Sequence, residues 1–411
     1  MLQFLLACAA DDPATEAGTP TFHEDVAPIL AESCNSCHQD GAIAPMSLTT
    51  YAATEAFAGL IADDAEARIM PPWLADNSGA CNTFQHANWL ADDEIATLGA
   101  WVDGGAPEGD PSNGPLNMTP ELVGLAGWTN DASLAEAYTP DFNETSDDYR
   151  CFLVDPGLDA DAFLTGFEVI PGDPSLVHHV VVYGLYDQSG WDDALAVDAA
   201  DPDNGYACFG DAGVSESFLV AAWAPGRQAW EYPDGTGIEL NADFPLIVQM
   251  HYNDGGGVAD QTVMHLRTSP TVERPMTAFF WANTDLEIPP GKAEHHEKSS
   301  MSFADYTGYN PDSMPTQEIL AIAPHMHKMG VSEHASLVRG NGDEDCLLEV
   351  PRWDFDWQFL YIYDEPVVFH PEDKLKLDCV FDSTGVEETV YWGEGTGDEM
   401  CLLALFVADK Q

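Results

Sequence analysis

Basic residues are scarce in this 411-residue chain: 13 Lys and Arg stand against 71 Asp and Glu, for a formal net charge of -58. Phosphate binding needs the opposite sign, so nucleic acid is excluded as a partner. Anionic lipid heads and anionic small substrates are disfavoured for the same reason. Such a charge suits solubility in salty surroundings, where carboxylate repulsion is screened within roughly 8 Å. Long apolar runs are missing too: after the first residues nothing approaches the roughly 18 apolar residues of a transmembrane helix. No glycine-rich nucleotide loop or nucleophile elbow occurs. What is present is core-forming material, 45% hydrophobic and 10% aromatic residues, enough for two or three domains at this length.

The chain opens Met-Leu-Gln-Phe-Leu-Leu-Ala-Cys8, in which Leu5-Leu6-Ala7-Cys8 reads as the end of a bacterial lipoprotein signal. Its basic region and most of its apolar run are missing. Residues 1–20 are therefore expected to be a signal remnant and tether, and the protein to be exported, periplasmic or at the cell surface, with a lipid anchor at Cys8. Nine cysteines are present. Cys8, Cys34 and Cys37 have their own contexts. The remaining six, Cys81, Cys151, Cys208, Cys346, Cys379 and Cys401, allow up to three disulfides in an exported chain.

Phe22, Val26, Ile29 and Leu30 keep helical spacing and lead into Cys34-Asn-Ser-Cys37-His38. That ending is the c-type haem attachment motif: two thiols bond the haem vinyl groups and the adjacent His becomes the proximal iron ligand. A zinc site would need a second ligand pair, and Cys81 with His86 forms no recognisable knuckle. A redox dithiol would expect a strand–helix setting. The sixth iron ligand is expected to be Met70 in Ile-Met70-Pro-Pro-Trp, presented on a stiff loop because two prolines forbid a continuing helix; Met46 is the competitor. Residues 92–104 read as a capped closing helix with a Gly stop. The expected small α-helical, cytochrome c-like haem domain covers 21–110. A Gly-, Pro-, Asn- and Asp-rich linker covers 111–144.

From residue 145 the pattern changes to short β-rich runs separated by turn residues, which predicts a mainly β, sandwich-like architecture. Histidines fall in these runs as His178-His179, His251 and His325-Met-His327, followed by the thioether of Met400. Residues two apart on a strand share a face, so His325 and His327 can reach one metal. Met400 is a soft ligand that favours reduced copper over zinc. Adjacent His178 and His179 point to opposite faces of a flat strand, so both reach one metal only through a local twist or bulge. Lone histidines elsewhere (His265, His334, His370) read as hydrogen-bonded core residues, and His295-His296 as a solvated loop. Trp353, Phe355, Trp357 and Phe359 alternate as one buried face of a strand.

Taken in order, Leu-Val-His178-His179-Val-Val-Val-Tyr-Gly, Val-Gln249-Met-His251-Tyr-Asn, Pro-His325-Met-His327-Lys-Met-Gly and Gly-Thr-Gly-Asp-Glu-Met400-Cys401 resemble the copper type II, ascorbate-dependent monooxygenases over roughly residues 145–411. The resemblance implies two jelly-roll-like β-sandwich copper domains, 145–272 and 273–411, facing each other across a cleft. It implies two copper ions in mononuclear sites: an electron-transfer copper at His178, His179 and His251, and an oxygen-activating copper at His325, His327 and Met400. Gln249 matches a position near the first copper that orders water. Cys379 and Cys401 match a disulfide that braces Met400. The implied activity is hydroxylation of a C–H bond by O2. Peptide-hydroxylating members carry Arg, Asn and Tyr where Ala323, Leu402 and Ala404 stand here, so the expected substrate is a small, apolar organic molecule. Its electrons would come from a donor protein or a small reductant through the fused haem c. The alternative is a non-catalytic copper-binding or electron-transfer protein.

Overall fold

The short runs after residue 145 become strands because one face of each is covered. In Lys374–Phe381, Leu375, Leu377, Cys379 and Phe381 are buried, and the residues between them are not. A strand covered on both faces loses that alternation: Leu402–Asp409 is buried throughout except at Asp409. The computed structural model describes residues 18–40, 42, 44–120, 124–142, 147–208, 211–224, 229–253, 257–307, 315–393 and 397–410. Cys8 and its lipoprotein motif lie outside these. Strands account for 38% of the chain and helices for 16%, so the mainly β expectation holds.

The chain divides into two units. The first takes the described residues of 18–40, 44–71 and 90–120. Its core is built from Phe22, Val26 and Leu30 at the start, with Leu98 and Trp101 of the helix Asp92–Asp103. The Glu94 carboxylate accepts from the N-cap Ala91 N–H at 2.7 Å, and Gly104 closes that helix.

In the second unit, the described strands form four sheets. One has five strands, in the order Tyr206–Ala207, Asp147–Val154, Leu246–Asn253, Val177–Leu185 and Ser217–Trp223. A nine-stranded sheet runs Asn130–Ser133, Val263–Ser269, Ala162–Ile170, Thr236–Leu240, Arg274–Ala282, Leu402–Asp409, Gln317–His325 and Tyr361–Phe369, with Ala229–Glu231 beside Ala162–Ile170. Four more strands pair as His295–Ser302, Lys374–Phe381, Gly330–Val338 and Glu344–Val350. Glu287–Ile288 pairs with Val390–Tyr391. One core joins Val182 and Ile247 of the five-stranded sheet to Leu164 and Leu266 of the long one. A second joins Leu337, Leu348 and Leu377 to Ile322, Tyr361 and Leu405. Two cores agree with two sandwich layers. The long sheet nevertheless continues across both, because Thr236–Leu240 pairs in parallel with Arg274–Ala282.

Three boundaries differ from the sequence reading. Residues 72–89, expected within the haem domain at 21–110, belong to the second unit. Trp73, Leu74 and Phe84 are buried in its second core, Phe84 bridges Tyr363, and Cys81 is bonded to Cys346. Their burial, not the local sequence pattern, decides the placement. The expected linker 111–144 contains an edge strand, Asn130–Ser133, paired with Val263–Ser269 and anchored by fully buried Ala132. Residues 353–359 are a loop rather than a strand. Pro351 precedes it, and the Trp357 N–H donates to the Asp354 carbonyl in a turn, leaving only Trp353 and Phe359 buried.

Candidate metal centre

The adjacent histidines are brought together by an irregularity in the ladder. Val177 faces Tyr252 and His179 faces His251, so two steps on one strand oppose a single step on its partner. His178 is the extra residue of a β-bulge, which turns it to the side that His179 already faces. The Nδ1 atoms then converge: His178 to His179 at 3.3 Å, His178 to His251 at 3.0 Å and His251 to His179 at 3.1 Å. Three nitrogens at these separations can all lie about 2 Å from one ion, and the trio is the one cluster of His, Cys or carboxylate groups with metal-ligand spacing among the described residues. His251 Nε2 donates to Asp147 Oδ1 at 2.8 Å, which leaves Nδ1 as the lone-pair nitrogen. Tyr149 stacks flat on the His251 ring at 4.0 Å.

The second set uses the opposite ring nitrogen. His325 ends the strand Gln317–His325 and His327 lies just beyond it, with ring centroids 5.2 Å apart. His325 Nδ1 donates to Gln358 Oε1 at 2.6 Å, and Gln358 Nε2 donates to the Phe355 carbonyl at 2.8 Å. The second bond fixes which end of the amide faces the histidine. His327 Nδ1 donates to the Asp398 carbonyl at 3.1 Å. In both rings Nε2 is then the lone-pair nitrogen. Met400 is buried, and a disulfide joins Cys379 to the next residue, Cys401. The other two described disulfides are Cys81–Cys346 and Cys151–Cys208.

His179 of the first set and His325, His327 and Met400 of the second line one cavity of about 290 Å³. Its walls include Tyr183, Leu219, Trp223, Phe280, Phe359 and Trp392, and no Lys or Arg is among the described residues that line it. Gln249 lines it too, with its Nε2 donating to the Asp211 carbonyl at 2.9 Å. A trio of imidazoles, and a pair of imidazoles that lines an apolar cavity with a thioether, are donor sets for copper rather than for calcium or magnesium.

Residues 280–407 match the copper type II ascorbate-dependent monooxygenase C-terminal domain. DBH-like monooxygenase protein 1 of Mus musculus is 23% identical over 247 residues, 56% of this chain and 39% of its own. Peptidyl-glycine alpha-amidating monooxygenase A of Xenopus laevis is 22% identical over 266 residues, 63% of this chain and 26% of its own. The chain thus spans well under half the length of these relatives. The major capsid protein P2 from Bacteriophage PM2 covers 64% of this chain at 9% identity with a TM-score of 0.28, too distant to define a shared fold. Within the monooxygenase C-terminal domain match, Ala323, Leu402 and Ala404 all line the cavity. The positions expected to be apolar in place of Arg, Asn and Tyr therefore face the space a substrate would fill.

Sequence reasoning misses Asp147, Asp398 and Gln358, which orient these histidines. None carries a spacing signal, since their partners lie 104, 71 and 33 residues away. His295 and His296 begin a strand, His295–Ser302, and bond Glu297 and Asp378 at 2.8 Å each. His265 bonds Glu168 at 3.1 Å and His334 bonds Glu349 at 2.6 Å, so both are hydrogen-bonded as expected, but they are half-buried rather than core residues.

In the first unit Cys34 and Cys37 are free thiols one helical turn apart, with the His38 N–H donating to the Cys34 carbonyl at 2.9 Å. Burial pushes the Cys34 thiol up to about 12 and raises that of Cys37, the reverse of a reactive dithiol. His38 Nδ1 donates to the Met46 carbonyl at 3.2 Å, leaving Nε2 for an axial bond. The competitor Met46 thus contributes its main chain, and its side chain packs on the core. Met70 is 37% exposed, as are the apolar Phe57, Leu60 and Ile69 to a similar degree. A flat apolar group would cover such a surface, so these residues fit a haem.

Burial, and after it the neighbouring histidines, lowers His178 from the ordinary 6.5 to about 4 and His325 to about 3. His179 and His251 fall in the same direction, burial again dominating. Metal ligation needs neutral imidazole, which His178, His179, His251 and His325 offer without proton release. Copper affinity is therefore expected to stay level from about pH 8 to about pH 5. The unfolded chain still takes up protons near the ordinary value, so the metal-free fold should lose stability as pH falls from about 6.5 towards 4. Competition titrations at several pH values check this; a tenfold loss of affinity by about pH 6 would contradict it.

Proposed function

We propose that this chain is a copper-dependent monooxygenase that hydroxylates a C–H bond of a small, neutral, apolar organic substrate with O2. The observation that carries the reading is one apolar cavity lined by ligand histidines of both sets and by Met400. In this reading His178, His179 and His251 hold one copper, and His325, His327 and Met400 the other. Bound copper supplies oxygen activation and one-electron storage. Each turnover takes two electrons and two protons, placing one oxygen atom in the alcohol and the other in water. The residues of the chain do the rest. Asp147, Gln358 and the Asp398 carbonyl fix the imidazole tautomers. The aromatic walls take up an apolar substrate, and with no Lys or Arg among the described residues that line the cavity a carboxylate finds no ion-pair partner there. A storage or transfer protein has no use for such a cavity, which favours catalysis over that alternative.

The electrons come through the fused haem c, held by Cys34 and Cys37 with His38 and Met70 as axial ligands, from a donor protein or a small reductant. The domains follow: haem at 21–110 without residues 72–89, and copper at 145–272 and 273–411. Export with a lipid anchor at Cys8 completes the proposal. Incubation with copper, ascorbate, 18O2 and a panel of small hydrocarbons and simple aromatics tests it. The expected product is an alcohol carrying one 18O atom. Product oxygen drawn from water would contradict the reading.

A further inference from the structure

We propose that Glu399 is a positioning residue, a buried carboxylate that holds His327 and Met400 in one frame. The proposal rests on reading His325, His327 and Met400 as copper ligands. Glu399 is fully buried. Its Oε2 accepts the His327 N–H at 2.8 Å and the Met400 N–H at 3.3 Å, and its Oε1 accepts the Met329 N–H at 2.6 Å. One side chain therefore satisfies three main-chain donors from two segments some seventy residues apart in sequence.

The place where this happens explains why it is needed. The ladder between Gln317–His325 and Leu402–Asp409 has its last pair at His325 and Leu402. Beyond that pair both strands have ended, and buried N–H groups have no ladder partner. The Glu399 carboxylate substitutes for the missing rungs. Its own main chain is held, because its N–H donates to the Tyr391 carbonyl and its carbonyl accepts from Gly393, both at 3.3 Å. Four consecutive residues then divide the work. The Asp398 carbonyl orients the His327 ring, Glu399 holds the His327 and Met329 main chain, Met400 offers the thioether, and Cys401 is tied to Cys379. A thioether is a weak ligand, so its contribution depends on being held in reach of the metal rather than on the strength of its bond.

Glu399→Gln tests this. It preserves shape but replaces one acceptor oxygen with an NH2 that faces N–H donors. The affinity of the second centre for Cu(I) should fall about 10- to 100-fold, with loss of the sulfur contribution to the copper X-ray absorption spectrum. The affinity of the His178, His179 and His251 trio should not change. Glu399→Asp keeps both oxygens one methylene short, and should restore part of the sulfur signal; it also serves if the Gln variant does not fold. Asp373→Asn supplies the comparison, since Asp373 is another buried carboxylate, bonded to Arg339 and the His370 N–H at 2.5 and 3.0 Å. It should lower the melting temperature without touching either copper. If the Glu399 variants behave like Asp373→Asn, with melting lowered but sulfur signal and Cu(I) affinity intact, Glu399 is only structural and the proposal falls. A wild-type protein with two coppers and no sulfur ligand would instead overturn the assignment of Met400 itself.

Discussion

Met400→Ala is expected to reduce turnover to below about a hundredth of wild type while most of the copper stays bound. The two effects separate because of how the second set is built. His325 and His327 are each anchored through Nδ1, at Gln358 and at the Asp398 carbonyl, so two oriented imidazoles remain to hold the ion. The thioether is what favours the reduced state and leaves room for oxygen. Misplacing a reacting group by about 1 Å already costs on the order of a hundredfold in rate, and removing the ligand outright should cost at least that. Met400→His should bind copper more firmly and remain inactive, since three imidazoles shift preference towards Cu(II). Product yield and copper content, measured on the same preparations, check both variants. Full activity in Met400→Ala would remove this side chain from the reaction.

How much of this could be read from the sequence depends on the range of the interactions involved. The paired histidines, the Met-Cys pair and the haem motif are local patterns, and the structure brings the three first-set histidines within 3.3 Å of one another. The bulge at His178 was required by the chemistry but not derivable, because a bulge is a matter of register between two strands and not of the residues on one. The insertion of residues 72–89 into the second unit follows from the burial of Trp73 and Phe84 and from the Cys81–Cys346 bond, all contacts with residues more than 250 positions away. Alternating aromatics at 353–359 imitate a strand, yet Pro351 and the turn at Asp354 prevail. There the loop is what allows Gln358 to reach His325. Glu399 stands beside Met400 in the sequence with no legible role, since its partners are main-chain atoms that no side-chain pattern reveals.

The second large effect concerns the partition of the ligands. Replacing His325 and His327 together by Ala should remove one copper per chain and abolish turnover, because Met400 alone cannot retain the ion. The trio should keep its copper, for its own contacts, Asp147 on His251 Nε2 and Tyr149 stacked on the ring, involve neither residue. His178→Ala with His251→Ala should remove the other copper and leave the sulfur-ligated one. The proposed haem should be indifferent to both, since Cys34, Cys37 and His38 belong to the other unit.

Metal and haem analysis of the purified wild type and these two double variants decides whether the ligands are partitioned in this way. Two coppers and one covalent haem are expected in the wild type, and one copper with an unchanged haem spectrum in each double variant. Loss of both coppers from a folded double variant, or a wild type that binds only one, would contradict that partition.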